Sequence, residues 1–242
     1  MDWHRRYLQQ AQWTRELRAY LFGQAGVSAA SNILEVGCGT GALLTEFNKA
    51  TSLHGLDIDA GVLAQCQANA PTAFLVQGDA LQLPYTGQSF EIVYCHFLLL
   101  WLRHPLQALL EMKRVCRPGA HIFAFAEPDY TARVDKPREL APLGQWQAES
   151  LRRQGADPSL GARLADLFFT AGVRLIETGT LQSADNDLSP EDWETEWAVI
   201  ESDLAGFVPD HEVKRMKKLD REARAHGKRE MHVPTHFAWG RV

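Results

Sequence analysis

The stretch Ile33–Gly41, Ile-Leu-Glu-Val-Gly-Cys-Gly-Thr-Gly, limits what this chain can fold into more than any other. Asn32–Val36 is apolar with a single acid, the pattern of a central parallel strand buried on both faces. Gly37, Gly39 and Gly41 then allow a sharp turn and a close approach of a ligand to the backbone. A helix is expected from Ala42 to Lys49, its N-terminus aimed at the same place. Strand, glycine turn and helix together call for an α/β sheet that binds a cofactor with a nucleoside or anionic part. The glycine spacing alone also satisfies the relaxed dinucleotide fingerprint, Gly37-x-Gly39-x-x-Ala42, which is weak by itself.

Further strands recur at regular intervals. Thr51–Asp57 reads as the second and ends in Asp57. A carboxylate there can accept from both hydroxyls of a ribose, whether the cofactor is a nicotinamide or another nucleoside. Asp59 suits the cap of the helix that runs to about Asn69. Ala73–Asp79 is the third strand and ends in Asp79.

At this point Glu35-Val-Gly-Cys-Gly-Thr-Gly resembles the first motif of class I S-adenosylmethionine-dependent methyltransferases, and the later elements follow in that family's order. The resemblance covers about residues 33–179 and the last strand. It implies a Rossmann-like, seven-stranded α/β sheet in the order 3-2-1-4-5-7-6, with strand seven antiparallel. The cofactor would be S-adenosyl-L-methionine and the product S-adenosyl-L-homocysteine. The implied cofactor contacts are Gly37, Cys38, Gly39 and Gly41 at the methionine portion, with Glu35 supporting the loop or the amino group. Asp57 and Ile58 would lie at the ribose, and Asp79, Ala80 and Leu81 at the adenine. Cys95 and His96 would lie near the transferred methyl, and Tyr7 over the ligand. Three acids at successive strand ends separate this family from dinucleotide enzymes, whose fingerprint explains only Glu35 and Asp57.

Ser89–His96 is the fourth strand and leads into Cys95-His96-Phe97-Leu98. Enzymes that methylate exocyclic nitrogens of DNA bases often carry Asn/Asp-Pro-Pro-aromatic here, so the departure argues against that chemistry. The run Leu109-x-Glu111-Met112-x-Arg114-Val115-x-Arg117-Pro118-Gly119 resembles the small-molecule branch that includes ubiquinone- and menaquinone-pathway (type 11) methyltransferases. His96 is the one titratable group placed to act as a general base; the alternative is a histidine that shapes the pocket. Many methyl transfers need no strong base, because positioning in a dry site supplies most of the barrier reduction.

The rest of the chain is read mainly as helical. Asp2–Phe22 is one amphipathic helix, with Tyr7 or Trp13 near the ligand. Leu106–Arg117 is a helix that stops at Pro118-Gly119 before strand five, Ala120–Glu127. Helices follow over Arg138–Gly155 and Leu160–Ala171, then strand six over Arg174–Leu181. Leu188–Ala205 and Val213–Gly227 form a two-helix insert, and His236–Val242 is strand seven. The candidate substrate contacts are Glu127, Asp129, Tyr130, Trp101 and Trp146. Trp101, Trp146, Trp193 and Trp197 could also cage an amine or its methylated cation. The whole is expected to be one domain, 1–242, with an N-terminal helix in 1–26 and lid insertions at 130–160 and 182–230.

Composition narrows the function classes. Twenty-five Lys and Arg stand against 30 Asp and Glu, a net charge of −5, which disfavours a general nucleic-acid binder. The basic residues of 214–229 are the only support for an RNA or protein substrate. The four cysteines form no Cys-x-x-Cys pair, so buried thiols in a reducing cytoplasm are expected. His232 and His236 flank Pro234 and lack a third ligand, so no metal is expected. No run of about 18 apolar residues exists to span a membrane. The expected function is methyl transfer to a small, partly apolar acceptor by a monomer or homodimer. A non-catalytic S-adenosylmethionine-binding regulator, a tRNA or protein methyltransferase and a nicotinamide enzyme are the alternatives.

Overall fold

A computed structural model describes residues 2–27, 32–47, 52–181 and 188–242. Its centre is a sheet built from β1 (Asn32–Val36), β2 (Ser52–Asp57), β3 (Phe74–Gln77), β4 (Phe90–His96), β5 (Cys116–Pro128), β7 (Arg174–Leu181) and β9 (Thr235–Arg241). The order is β3-β2-β1-β4-β5-β9-β7. All neighbours from β3 to β5 run parallel, and β9 is antiparallel to both β5 and β7. This is the expected methyltransferase topology, with β7 and β9 as its sixth and seventh strands.

The period-two alternation of the strands builds a core on each face. Leu34, Val36, Val93 and Ile122 point to the face covered by α4 (Pro105–Val115) and α6 (Leu164–Thr170), against Leu109, Met112 and Phe168. Ile33, Tyr94, Phe123, Phe125 and Trp239 point to the other. There they meet Leu21 and Phe22 of α2 (Arg15–Gln24) and Leu63 and Cys66 of α3 (Ala60–Asn69). Most of these side chains are fully buried, each worth roughly 1.5–3 kcal/mol relative to exposure. A third core lies outside the sheet, where α5 (Ala141–Arg153), α7 (Pro190–Leu204) and α8 (Asp210–Ala225) pack through Leu143, Trp193, Trp197, Ile200 and Met216.

Several sequence expectations change, among them the helix over Leu160–Ala171, which opens as a 3-10 turn, Leu160–Arg163, before α6. The helix over Asp2–Phe22 is two helices, α1 (Trp3–Trp13) and α2, broken at Thr14 (φ −107°, ψ 4°). The break lets Thr14 bury completely and turns α2 onto the sheet. The helix expected over Ala42–Lys49 is only a short 3-10 turn, Leu44–Glu46, with Phe47 already extended. Ala42, Leu43 and Leu44 are all buried, and three consecutive buried side chains do not fit one helix face. The end of that expected helix and Thr51 of the second strand lie outside the described residues. The Arg138–Gly155 segment opens as a 3-10 turn, Arg138–Leu140, before α5. Just ahead of it β6 (Val134–Lys136) pairs antiparallel with β8 (Glu230–His232), a ladder that no sequence pattern signals.

Candidate functional site

The carboxyl ends of β1, β2 and β4 open into a cavity of about 320 Å³. Its floor is the glycine turn. Gly37 and Gly39 are left-handed (φ +74° and +53°), and a side chain at either would meet a wall: Leu98 at 2.7 Å from a Cβ on Gly37, Tyr7 at 3.2 Å from one on Gly39. The turn is pinned from below by Gly37 N–H and Cys38 N–H, which both donate to Leu56 O (2.7 and 2.9 Å). Asp57 pins it from the side: its Oδ2 accepts from Gly39 N at 2.9 Å, and its Oδ1 from Asp59 N at 3.1 Å. A carboxylate has about four acceptor positions, so lone pairs stay available to a ligand. Asp59 caps α3, accepting from Gly61 N and Val62 N at 2.7 and 3.2 Å.

Glu35 lies at the back of the cavity, buried, with Oε2 accepting from Tyr94 Oη at 3.1 Å. Burial pushes its carboxyl well above the usual range. On the opposite wall, α1 presents Trp3, Tyr7 and Gln10 at helical spacing. Burial and the nearby carboxylates of Asp57 and Asp59 raise the Tyr7 phenol.

At the end of β4 the chain turns abruptly. Phe97 has a left-handed φ of +51°, as does Ala126 beside it on β5 (+59°), and Phe97 N–H donates to Phe125 O at 3.2 Å. Left-handed non-glycine residues cost about 1 kcal/mol or more and collect at functional sites. The turn brings His96, Phe97, Leu98, Leu100 and Trp101 into the cavity wall. His96 Nε2 lies 3.0 Å from Thr14 Oγ1. Burial, reinforced by the Arg18 cation, pushes its imidazole down to about 3, so the ring is neutral at physiological pH. Tyr130 and Pro128 close the far side, and burial pushes the Tyr130 phenol up to about 12.

Of the residues expected from sequence, Tyr7, Glu35, Gly37, Cys38, Gly39, Asp57, His96, Trp101 and Tyr130 line this cavity. Gly41 lies behind the turn, where a Cβ would strike Cys66 Sγ at 2.7 Å. Cys95 points into the apolar core on the α4 side. Ile58, 68% exposed, and Asp79 lie farther along the same sheet edge, outside the enclosed space. Asp79 Oδ1 accepts from Leu81 N at 2.8 Å, while Ala80 is buried in the core and Leu81 packs partly against it.

The expected acceptor contacts divide. Trp101 and Tyr130 face the cavity; Glu127, Asp129 and Trp146 do not line it. The Glu127 carboxylate accepts from Leu98 N, Leu99 N and Leu100 N (3.1, 2.9 and 3.1 Å) and so holds the turn after β4. Asp129 Oδ1 accepts from Thr131 and Ala132 N–H and caps the next turn. Trp146 packs on the third core. The tryptophan cage is not formed. Trp193 and Trp197 are buried and donate their indole N–H groups to Asp220 Oδ2 at 2.5 and 3.0 Å. Trp13 is turned to Phe97 (6.3 Å between rings) and to the Arg6 guanidinium rather than to the cavity. Trp3, Gln10, Phe97 and Leu151 line the cavity although the sequence reading did not single them out. Trp3 and Gln10 were findable, being four before and three after Tyr7 on one helix face.

The helical layer on the α1 side of the cavity is tied down by buried ion pairs, several of them between residues far apart in the chain. Arg6 of α1 pairs with Glu196 of α7 at 2.5 Å, both largely buried. Asp135 of β6 pairs with Arg133 at 2.8 Å and with Arg229 at 2.6 Å, and Arg229 also pairs with Asp220 of α8. The basic face of α8 is largely neutralised: Lys217 reaches Glu194 and Glu201, Arg215 reaches Glu212, and Arg221 reaches Glu194. Among the described residues no cluster of three or more His, Cys, Asp or Glu could hold a metal, and no helix is long and apolar enough to cross a membrane. The four cysteines are buried and free.

Comparison with known proteins agrees with this geometry. Residues 34–124 match a family model described as a methyltransferase domain. A demethylmenaquinone methyltransferase of Shouchella clausii is 30% identical over 193 residues, covering 69% of this chain and 78% of that protein. Its counterpart from Lactiplantibacillus plantarum is 30% identical over 142 residues, 54% of this chain and 58% of that one. The chain therefore spans between about three-fifths and four-fifths of these two curated relatives. Among solved structures, a putative methyltransferase from Bacillus halodurans superposes with a TM-score of 0.61 at 17% identity, covering 92% of this chain and 97% of that one. A geranyl diphosphate C-methyltransferase from Streptomyces coelicolor, solved with S-adenosyl-L-homocysteine, gives 0.58 at 10% identity, with coverages of 94% and 75%. At these identities the structural likeness shows the fold alone. The sequence matches and the topology lead to one conclusion: the chain belongs to the class I S-adenosylmethionine-dependent methyltransferase family.

Proposed function

We propose that this chain transfers a methyl group from S-adenosylmethionine to a small, partly apolar organic acceptor. The observation that carries the reading is one cavity shared by two kinds of wall: the Gly37–Gly39 turn with Asp57 on one side, and Trp3, Tyr7, Phe97, Trp101 and Tyr130 on the other. The residues present fit the cofactor. A Cβ at Gly37 or Gly39 would fill the cradle, and the Asp57 carboxylate is held beside it. Gly37 and Gly39 would approach the methionine portion, with Cys38 in the turn between them, and Glu35 behind them would meet the amino group. Asp57 would hold the ribose. Ile58, Asp79, Ala80 and Leu81 would form an open shelf for the adenine along the same edge. When bound, the cofactor supplies a methyl group already activated on a sulfonium sulfur.

The chain's own contribution is binding, alignment and exclusion of water. Apolar and aromatic walls with a few polar groups suit a small acceptor. Quinone-pathway relatives support a carbon or oxygen acceptor of that kind. The described elements act as one domain in which α1 and the α5–α7–α8 layer cover the acceptor. Buried free thiols agree with a reducing, cytoplasmic setting. The paired charges of α8 do not favour a nucleic-acid substrate. The test is incubation with methyl-labelled S-adenosylmethionine and a panel of phenolic, quinol and amine acceptors. Label transfer to a phenol or quinol supports the reading; cofactor binding without transfer to any acceptor favours the regulatory alternative.

A further inference from the structure

We propose that His96 acts as a hydrogen-bond donor to an oxygen of the acceptor, presenting Nδ1–H to the cavity, and that Thr14, held by Arg18, is the positioning residue that fixes this tautomer. The inference rests on the methyltransferase reading for its substrate and on the structure alone for its geometry.

The argument is an allocation of protons. Arg18 is fully buried and donates from Nη1 to Thr14 Oγ1 and, at 2.7 Å, to Ala11 O. Ala11 O also accepts Thr14 N–H at 3.3 Å. A carbonyl has two lone pairs, and both are engaged. The Thr14 hydroxyl proton therefore has a poor partner in Ala11 O, 3.4 Å away, and a good one in His96 Nε2, at 3.0 Å. Donation from Arg18 into the hydroxyl oxygen polarises it and strengthens that choice. Nε2 is then the acceptor nitrogen, so in a neutral imidazole the ring proton sits on Nδ1.

Nδ1 makes no hydrogen bond among the described residues. Among the described residues the one side-chain hydrogen bond of His96 is the one at Nε2, Nδ1 is not among the buried atoms left without a partner, and the ring lines the cavity, the place where Nδ1 can meet a ligand. The charged and titratable neighbours all keep the ring neutral or leave it so. Arg18, from α2, carries the cation that lowers the ring and is itself paired with Glu46; Tyr7, Tyr130, the buried Glu35 and Asp57 line the same cavity. A ring of this kind does not take a proton at physiological pH.

The substrate class follows. The acceptor carries an oxygen beside, or at, its nucleophilic atom, as a phenol, an enol or a quinol does. Its proton is lost to water, and the His96 N–H stabilises the resulting oxyanion and orients it. As the nucleophilic atom bonds to the methyl carbon, the carbon–sulfur bond breaks and its electron pair goes to sulfur. An amine acceptor gains nothing from a donor at this place.

The test is nitrogen-15 imidazole spectroscopy of the full chain between pH 6 and 8, with the cofactor titrated into the same samples. The wild type is expected to show His96 neutral throughout, with Nδ1 protonated. In Thr14→Val, which keeps the buried shape, the population moves to the Nε2–H form that free imidazole side chains prefer, and Thr14→Ser restores Nδ1–H. Nε2–H in the wild type, protonation of His96 within this range, or no change in Thr14→Val would each overturn the proposal. Cofactor affinity is expected to stay within about twofold in both variants. Loss of cofactor binding in the wild type would instead overturn the functional reading while leaving the tautomer result standing.

Discussion

The two walls of the cavity are made in different ways. The cofactor wall is backbone: a strand, a left-handed glycine turn and one carboxylate eighteen residues from the amide it holds. The acceptor wall is a layer of side chains fixed by partners far away in the chain, such as Arg6 with Glu196 (190 residues apart) and Asp135 with Arg229 (94 apart). A wall made of local backbone geometry tolerates almost no change at its glycines and leans mainly on the neighbouring strand, through Leu56 O and Asp57. A wall held by distant ion pairs is open to remodelling, which is how one fold comes to serve many acceptors.

The first way to break the comparison is at Gly37. Gly37→Val puts a branched side chain into a left-handed position and into Leu98, and S-adenosylmethionine affinity should fall more than 100-fold. Gly155 has a similar φ of +88° but no neighbour within 4 Å, so Gly155→Ala should cost about 1 kcal/mol of stability and leave cofactor affinity unchanged. Isothermal titration and urea unfolding of both variants separate collision from strain. Equal affinities would remove the claim that this turn approaches the cofactor.

The second works on the other wall. Glu196→Ala leaves Arg6 buried and unpaired, a loss of about 3–5 kcal/mol by analogy with other buried pairs. The double change Arg6→Met with Glu196→Leu removes both charges and should recover most of it. In the double variant the acceptor KM should rise several-fold while the cofactor Kd moves less than twofold. A cofactor Kd that rises as much as the acceptor KM would mean that the walls are not independent.

A smaller effect sits where the walls join. Glu127 holds the turn after β4, and its burial pushes the carboxyl up to about 7. A raised carboxyl binds its proton more tightly folded than unfolded. Its contribution is therefore complete below the unfolded value and is lost as pH rises from about 4.5 through about 7, by on the order of 3 kcal/mol. Urea midpoints should fall across that window in the wild type. In Glu127→Gln, less stable at pH 5 because one oxygen replaces two acceptors, the slope should flatten. An unchanged slope would assign the pH dependence elsewhere.

The sequence was legible where structure is local. Gly37 and Gly39 announced a turn because only glycine takes those angles without strain, and Asp57 announced itself by ending a strand. The strand order followed from the family those residues resemble. The rest was hidden by distance. Thr14 splits the first helix because its hydroxyl meets Arg18 and His96, a tertiary fact outside any helical pattern. Trp193 and Trp197 kept their helical spacing but face Asp220 and a separate core, so aromatic content alone misplaced them at the ligand. The β6–β8 ladder spans three residues on each strand, too few for a period to be read.

The most direct test of the account is calorimetric titration of the wild-type chain and of Asp57→Ala with S-adenosylmethionine. Asp57 holds the glycine turn and is proposed to hold the ribose, so the account predicts saturable one-site binding to the wild type and a loss of about 100-fold in the variant, near 3 kcal/mol. Folded wild-type protein that does not bind S-adenosylmethionine, or an Asp57→Ala protein that binds it as well as the wild type, would contradict it.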